Sequence, residues 1–337
     1  ILEKRQMPPV IPDKIHINDS TSTVYISNIY EGPGLQGVPK GSVEKLRLFA
    51  YHFTYNKSGG HDELGIQTGW DVKRVLGTVP VEEDGSAIFK IPANVPVSLQ
   101  PLDENGRAMQ LMRSWFTGMP GEVVSCVGCH ENQNTLPPVR RTMASRKLPD
   151  EIDPFYGPTR PFTFTNEIQP LLDRKCSACH DGSNRLPDFS DKSESGYKNL
   201  SGAYKALHPF VRRPGPESDV HVLLPMDYHA STSELIQQLE MGHHGVTLSQ
   251  EEWDRLHTWI DLNVPYHGQF TAREFCKQDQ KFRRQELAIA FGGRPIDVDK
   301  ELEIAAYLRT MKETEPIKPE RNTDHKKSDG SKMDWSF

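Results

Sequence analysis

No run of about 18 apolar residues occurs in the 337-residue sequence, so nothing in it is built to cross a bilayer as a helix, and no membrane insertion is expected. A charge bias is missing too. Forty Lys plus Arg against 46 Asp plus Glu leave a formal net charge of −6, which gives no footprint for nucleic acid or for an anionic membrane surface. The start, Ile1-Leu2-Glu3-Lys4, has neither an initiator Met nor a signal-peptide pattern, and the expectation is a processed or truncated chain. Apolar content, at 36%, is slightly low for a globular protein of this size, whose length suggests about two domains.

Cysteine is scarce at five residues, yet four of them fall in two pentapeptides, Cys126-Val127-Gly128-Cys129-His130 and Cys176-Ser177-Ala178-Cys179-His180. In such a motif two thiols reach the two vinyl carbons on one edge of a porphyrin and become thioethers, and the next residue presents its imidazole to the iron. With this composition a given cysteine is followed by Cys at three and His at four about once in two thousand times, so two chance occurrences are a poor explanation. The motifs therefore predict two covalently bound haem c groups, held by Cys126, Cys129, Cys176 and Cys179, with His130 and His180 as proximal iron ligands.

Zinc and thiol-disulfide chemistry also use Cys-x-x-Cys. Zinc predicts neither following histidine, the gap from Cys129 to Cys176 is long for a zinc ribbon, and no strand is evident before either pair. A zinc-stapled structural module is the alternative, and no residue pattern specifies a further zinc or calcium ion. Cys276 has no Cys or His partner at ligand spacing and reads as an incidental thiol. Covalent haem attachment takes place on the extracytoplasmic side of bacterial membranes, which argues for a periplasm-like compartment.

Pattern and breakers predict an α+β multidomain chain. Residues 1–21 form an extended entry segment, and 22–133 a small antiparallel β-domain carrying the first motif. Its strands are expected near 24–30, 46–53, 75–81, 87–92, 95–102 and 108–113, with 75–92 a hairpin around Asp84-Gly85. Residues 134–159 read as a linker. Residues 160–270 read as an all-α cytochrome c-like domain: Phe164, Ile168, Leu171 and Leu172 fall at helical spacing before Cys176, and Ser249 with Glu252 forms a capping box ahead of Trp253, Leu256, Trp259 and Ile260. A helical extension at 271–311 and a disordered tail at 312–337 complete the expectation.

The second haem's sixth ligand is expected from Met241-Gly242-His243-His244, with Met241 the thioether rival. His208, His221, His229, His257 and His267 read as packing or surface residues. The first motif has only Met109, Met112, His52 and His61 as weak candidates, which leaves its iron with an exchangeable position where a small nitrogen or oxygen ligand could be activated. No catalytic residue is assigned beyond this region around His130.

The stretch Glu82 to Leu102, the approach to Cys126, the segment Phe164-Thr165-Asn166-Glu167-Ile168-Gln169-Pro170-Leu171-Leu172, and His244 through Trp259-Ile260-Asp261-Leu262 resemble the hydrazine synthase alpha-subunit family and related di-haem proteins of planctomycete-type bacteria. The likeness covers roughly residues 75 to 265 and implies a β-rich middle domain with one haem and a cytochrome c-like domain with a second. It also implies His244 rather than His243 as the distal ligand, and other redox subunits or an electron-transfer partner. In the family a tyrosine four residues after the first motif histidine ligates the iron and the histidine turns to zinc. Here that position is Asn134, so His130 is expected in the ordinary proximal role.

Overall fold

The computed structural model describes residues 14–52, 64–68, 72–112, 114–129, 140–183, 185–196, 199–215, 223–268, 282, 285–286 and 289–290. The entry segment up to residue 13, His61, His130, Asn134, His221, Cys276 and the expected tail lie outside them.

Strands β1 (Thr21–Ile26), β4 (Ala87–Pro92) and β6 (Val123–Cys126) make one sheet in the order β4-β1-β6. A second sheet has the order β5-β2-β3-β7, from Val97–Leu102, Lys45–His52, Val72–Pro80 and Asp153–Pro154. Leu46 and Leu48 of β2 pack with Val24, Ile26, Phe89 and Ile91 between the two sheets. The odd-numbered Phe49 and Tyr51 point the other way and join Phe162, Phe164, Tyr204 and Trp259 in a second core. Strand alternation thus gives β2 two buried faces and makes the second sheet the middle of three layers.

Several expectations for the β-unit are corrected here. Residues 75–92 do contain a tight turn, with Glu82 and Ser86 hydrogen-bonded across it, but β3 pairs with β2 and β4 pairs with β1. The turn is a corner between sheets, because Val79 and Phe89 are buried in the same inter-sheet core from opposite sides. The β-unit is also not wholly antiparallel. Strand β6 runs parallel to β1, with Ile26 opposite Cys126, so a strand does lead directly into the first motif. It has only four residues, Val123-Val124-Ser125-Cys126, alternating between exposed and half-buried, too short a run to read as a strand. The expected strand at 108–113 is reduced to a bridge between Leu102 and Ala108.

Residues 140–159 are tied to the β-unit. Thr142 shares a hydrogen bond with Tyr25, Lys90 N–H donates to Asp150, and β7 pairs with Gly77 and Thr78. Gly77 has φ 145°, and a Cβ there would stand 2.0 Å from the Asp153 carbonyl, so only glycine admits this strap.

The helical part comprises α1 (Gln169–Lys175), α2 (Gly202–Leu207), α3 (Glu234–Glu240) and α4 (Gln250–Asp261), with a two-stranded ribbon β8–β9 (Glu194–Ser195 and Leu200–Ser201), so it is not all-α. The expected capping box is present on α4: Ser249 Oγ accepts from Glu252 N–H, and the Glu252 carboxylate accepts from Ser249 N–H. Trp253, Leu256, Trp259 and Ile260 are buried, as the spacing predicts. Trp259 packs between Phe164 and Tyr204 at ring separations of 5.5 and 6.1 Å and donates from Nε1 to the Pro265 carbonyl. Before α1, Thr163 caps a wide turn over Phe164–Ile168 that leads into the helix. Glu167 within it is clamped by the Arg160 guanidinium at 2.7 and 2.8 Å and by Arg255 of α4.

A buried polar node joins the β-unit to the helices. Asp261 Oδ2 accepts from Arg47 Nη1 at 3.0 Å and from Ala108 N–H at 2.9 Å, Oδ1 accepts from Ala230 N–H at 3.0 Å, and the Asp261 carbonyl accepts from Gln100 Nε2. Neither Arg47 nor Asp261 is appreciably exposed.

Candidate haem-binding sites

The first motif is held by the loop after β1. Ser27 N–H donates to Cys126 O, Ser27 Oγ and Asn28 N–H to Val127 O, Cys129 N–H to Glu31 O, and Gly34 N–H to Cys129 O. Two glycines permit this closeness. A Cβ on Gly34 would lie 2.6 Å from Cys129 Sγ, and one on Gly128 would lie 2.4 Å from the Glu31 carbonyl oxygen. Cys126 and Cys129 pack half-buried on the inter-sheet core that also holds Met109 and Met112. Of the weak ligand candidates, the fold brings these two methionines to the cluster of the first motif. His52 ends β2.

The second motif starts where α1 ends. Cys176 caps the helix with its N–H on Leu172 O, and the Cys179 and His180 N–H groups both turn back to Cys176 O. His180 Nδ1 lies 3.1 Å from the Pro187 carbonyl, and its ring stacks on Phe189 at 4.6 Å. A carbonyl partner makes Nδ1 the protonated nitrogen and leaves Nε2 as the metal-binding one. The thiol of Cys176 is pushed up to about 11 by burial and by nearby Glu252, with Lys175 opposing, so it stays protonated at neutral pH. That is the reverse of a redox-active thiolate.

Across from His180 stands His243, with ring centroids 6.1 Å apart. Imidazole–metal bonds of about 2 Å on each side, plus about 1 Å from nitrogen to ring centre, give a span of about 6 Å for two imidazoles sharing one metal ion. His243 is half-buried, and desolvation, then His244 and His180, hold it below the usual histidine value, in the neutral form a ligand needs. His244, favoured by the family likeness, is exposed, has φ 46° and meets His243 edge-on at 4.6 Å. Left-handed backbone at Gly242 and His244 gives the inward position to His243. Two large apolar side chains in the same loops, Leu186 and Met241, are 49% and 73% exposed, apolar surface that a porphyrin could cover. The residues present, two thiols with an imidazole on each side, are the donor types a covalently held haem would use.

Three other histidines pack against local neighbours. His208 Nε2 faces Arg213 at 2.7 Å, His257 is buried beside Trp253, and His267 packs edge-on to Tyr266. Pro187 and Phe189, which orient His180, carried no sequence signal, since a carbonyl contact can come from any residue type.

Residues 41–131 match the family described as hydrazine synthase alpha subunit middle domain. The chain resembles the hydrazine synthase alpha subunit. Hydrazine synthase subunit alpha of Kuenenia stuttgartiensis is 24% identical, over 59% of this chain and 33% of that protein. In the solved structure of Kuenenia stuttgartiensis hydrazine synthase, a chain superposes with a TM-score of 0.54 at 18% identity, covering 74% of this chain and 44% of that one, which marks a shared fold. The chain thus spans about a third of the length of the curated hydrazine synthase subunit it matches. The matched middle domain begins just before β2 and ends at the first motif.

Proposed function

We propose that the chain is a di-haem c-type cytochrome module of a larger redox assembly. Cys176 and Cys179 anchor one haem whose iron is held by His180 and His243, and Cys126 and Cys129 anchor the other beside His130. A haem so ligated supplies one-electron exchange without an open coordination position. The protein's part would be to fix both imidazoles, through Pro187 and Phe189 on one side and the loop after α3 on the other. The observation that carries the reading is the separation of the two imidazoles. Secretion to a periplasm-like compartment, where covalent attachment occurs, and association with other redox subunits go with it.

Pyridine spectra and the intact mass of the matured protein should report two covalent haems, and a protein that carries zinc alone would end the proposal. His243→Ala should turn the second haem from low to high spin while His244→Ala leaves it low spin; the opposite pattern would restore His244 as the ligand.

A second reading is favoured by the match of residues 41–131 to the hydrazine synthase middle domain. In it the first haem activates a small nitrogen compound and the second delivers or removes electrons. Asn134, where the family has tyrosine, argues against identical chemistry. Nitric oxide binding to a high-spin first iron would support the catalytic reading, and two low-spin six-coordinate irons would leave the relay.

A further inference from the structure

Helix α3, which leads into the His243 loop, has seven residues, too few to be stable without tertiary anchors. Its last residue, Glu240, puts a carboxylate at the end where the helix dipole is already negative. Both features are answered from outside the helix. Just before α3, Ala230 N–H is bound by Asp261 and Ser233 Oγ donates to the His229 carbonyl. At its C-terminal end Glu240 Oε1 accepts from Arg107 Nη1 at 2.9 Å. Arg107 belongs to the turn after β5 and is already oriented there, since Asp103 Oδ2 accepts from its Nε at 2.8 Å and Asp103 Oδ1 from its N–H. After Glu240 the chain has one capping residue, Met241, then Gly242 at φ 95°, then His243.

We infer that Arg107 is a positioning residue for the iron site at the second motif: through Glu240 it holds the His243 loop at its distance from His180. The β-unit thereby sets the distal ligation of the haem anchored on the helical unit. The inference rests on the bis-imidazole reading above. A strut of this kind acts on the geometry and lifetime of the His243–iron bond, whereas an ion pair that merely staples two surfaces acts on stability alone.

The test uses the full, haem-loaded chain. In the parent, the low-spin resonance abolished by His243→Ala identifies the second haem, and carbon monoxide capture by that haem in the ferrous protein reports release of the distal histidine. Glu240→Ala should shift that resonance and speed capture about tenfold, the equivalent of one charge-assisted hydrogen bond partly lost. Glu240→Gln, whose amide oxygen still accepts from Arg107, should stay within about twofold of the parent. An unchanged resonance and capture rate in Glu240→Ala, whatever happens to its melting temperature, would overturn the inference, as would a Gln variant as defective as Ala. A parent without the low-spin resonance would overturn the haem reading itself, and this inference with it.

Discussion

Asp261 is the residue whose alteration tests the architecture most directly. Replacement by Asn keeps the shape but removes the charge and turns one acceptor oxygen into a donor. Three donors converge on the carboxylate, Arg47 Nη1, Ala108 N–H and Ala230 N–H, at 2.9 to 3.0 Å. An amide satisfies one side of that set and opposes the other. Arg47 would keep its bonds to Gln100 and the Gly106 carbonyl but lose its counter-charge in a buried position. Breaking a buried pair from one side costs about 3–5 kcal/mol, and an orphaned N–H adds to the upper half of that range. Urea unfolding followed by tryptophan emission should therefore show Asp261→Asn destabilised by about 3–5 kcal/mol in one transition. In a double-mutant cycle, Arg47→Met should cost less in the Asp261→Asn background than in the parent, by more than about 1 kcal/mol. Additivity within about 0.5 kcal/mol would refute a shared node. So would a parent unfolding in two separated transitions, one for the β-unit and one for the helices.

Gly34→Ala should raise the fraction of protein carrying a single haem, seen by intact mass, because the new Cβ would stand 2.6 Å from Cys129 Sγ; full double loading would show that the loop gives way. Acid should destabilise the fold through His257 and His208. Desolvation lowers both, His257 to about 3 and His208 to about 4, with Arg213 adding to the effect on His208. The unfolded chain binds these protons first, so stability is fully present above about pH 6.5 and falls from there toward about pH 3. The slope is up to about 1.4 kcal/mol per pH unit for His257 and less for half-exposed His208, whose charge water screens. Urea midpoints unchanged between pH 6.5 and 4 in the parent, or equally acid-sensitive in a His257→Phe variant, would contradict this assignment.

What could be read from the sequence is what depends on neighbours along the chain. The two pentapeptides carry the proposed haem chemistry in five residues each. The capping box at Ser249 and Glu252, the apolar face of Trp253 to Ile260 and that of Phe164 to Leu172 follow from the period of a helix, and each is present. Strands β2 to β5 were visible for the same reason, as runs of β-branched and aromatic residues between breakers. Pairing was not visible, because register depends on which distant strand supplies the partner. The turn at Asp84-Gly85 looks alike whether it closes a hairpin or changes sheets, and β6 is too short and too exposed to announce that it runs beside β1. The tie between Arg47 and Asp261 spans 214 residues, and no local pattern marks an arginine on a strand as the partner of a helix's last residue. The same limit governs the proposed iron site. The sequence by itself determined that histidines follow two cysteine pairs and that two more precede α4. Only the tertiary structure brought the His243 ring up to His180, through a loop with left-handed turns at Gly242 and His244 that follows a helix tied by Glu240 to Arg107, because contacts between segments so far apart in the chain leave no local signal.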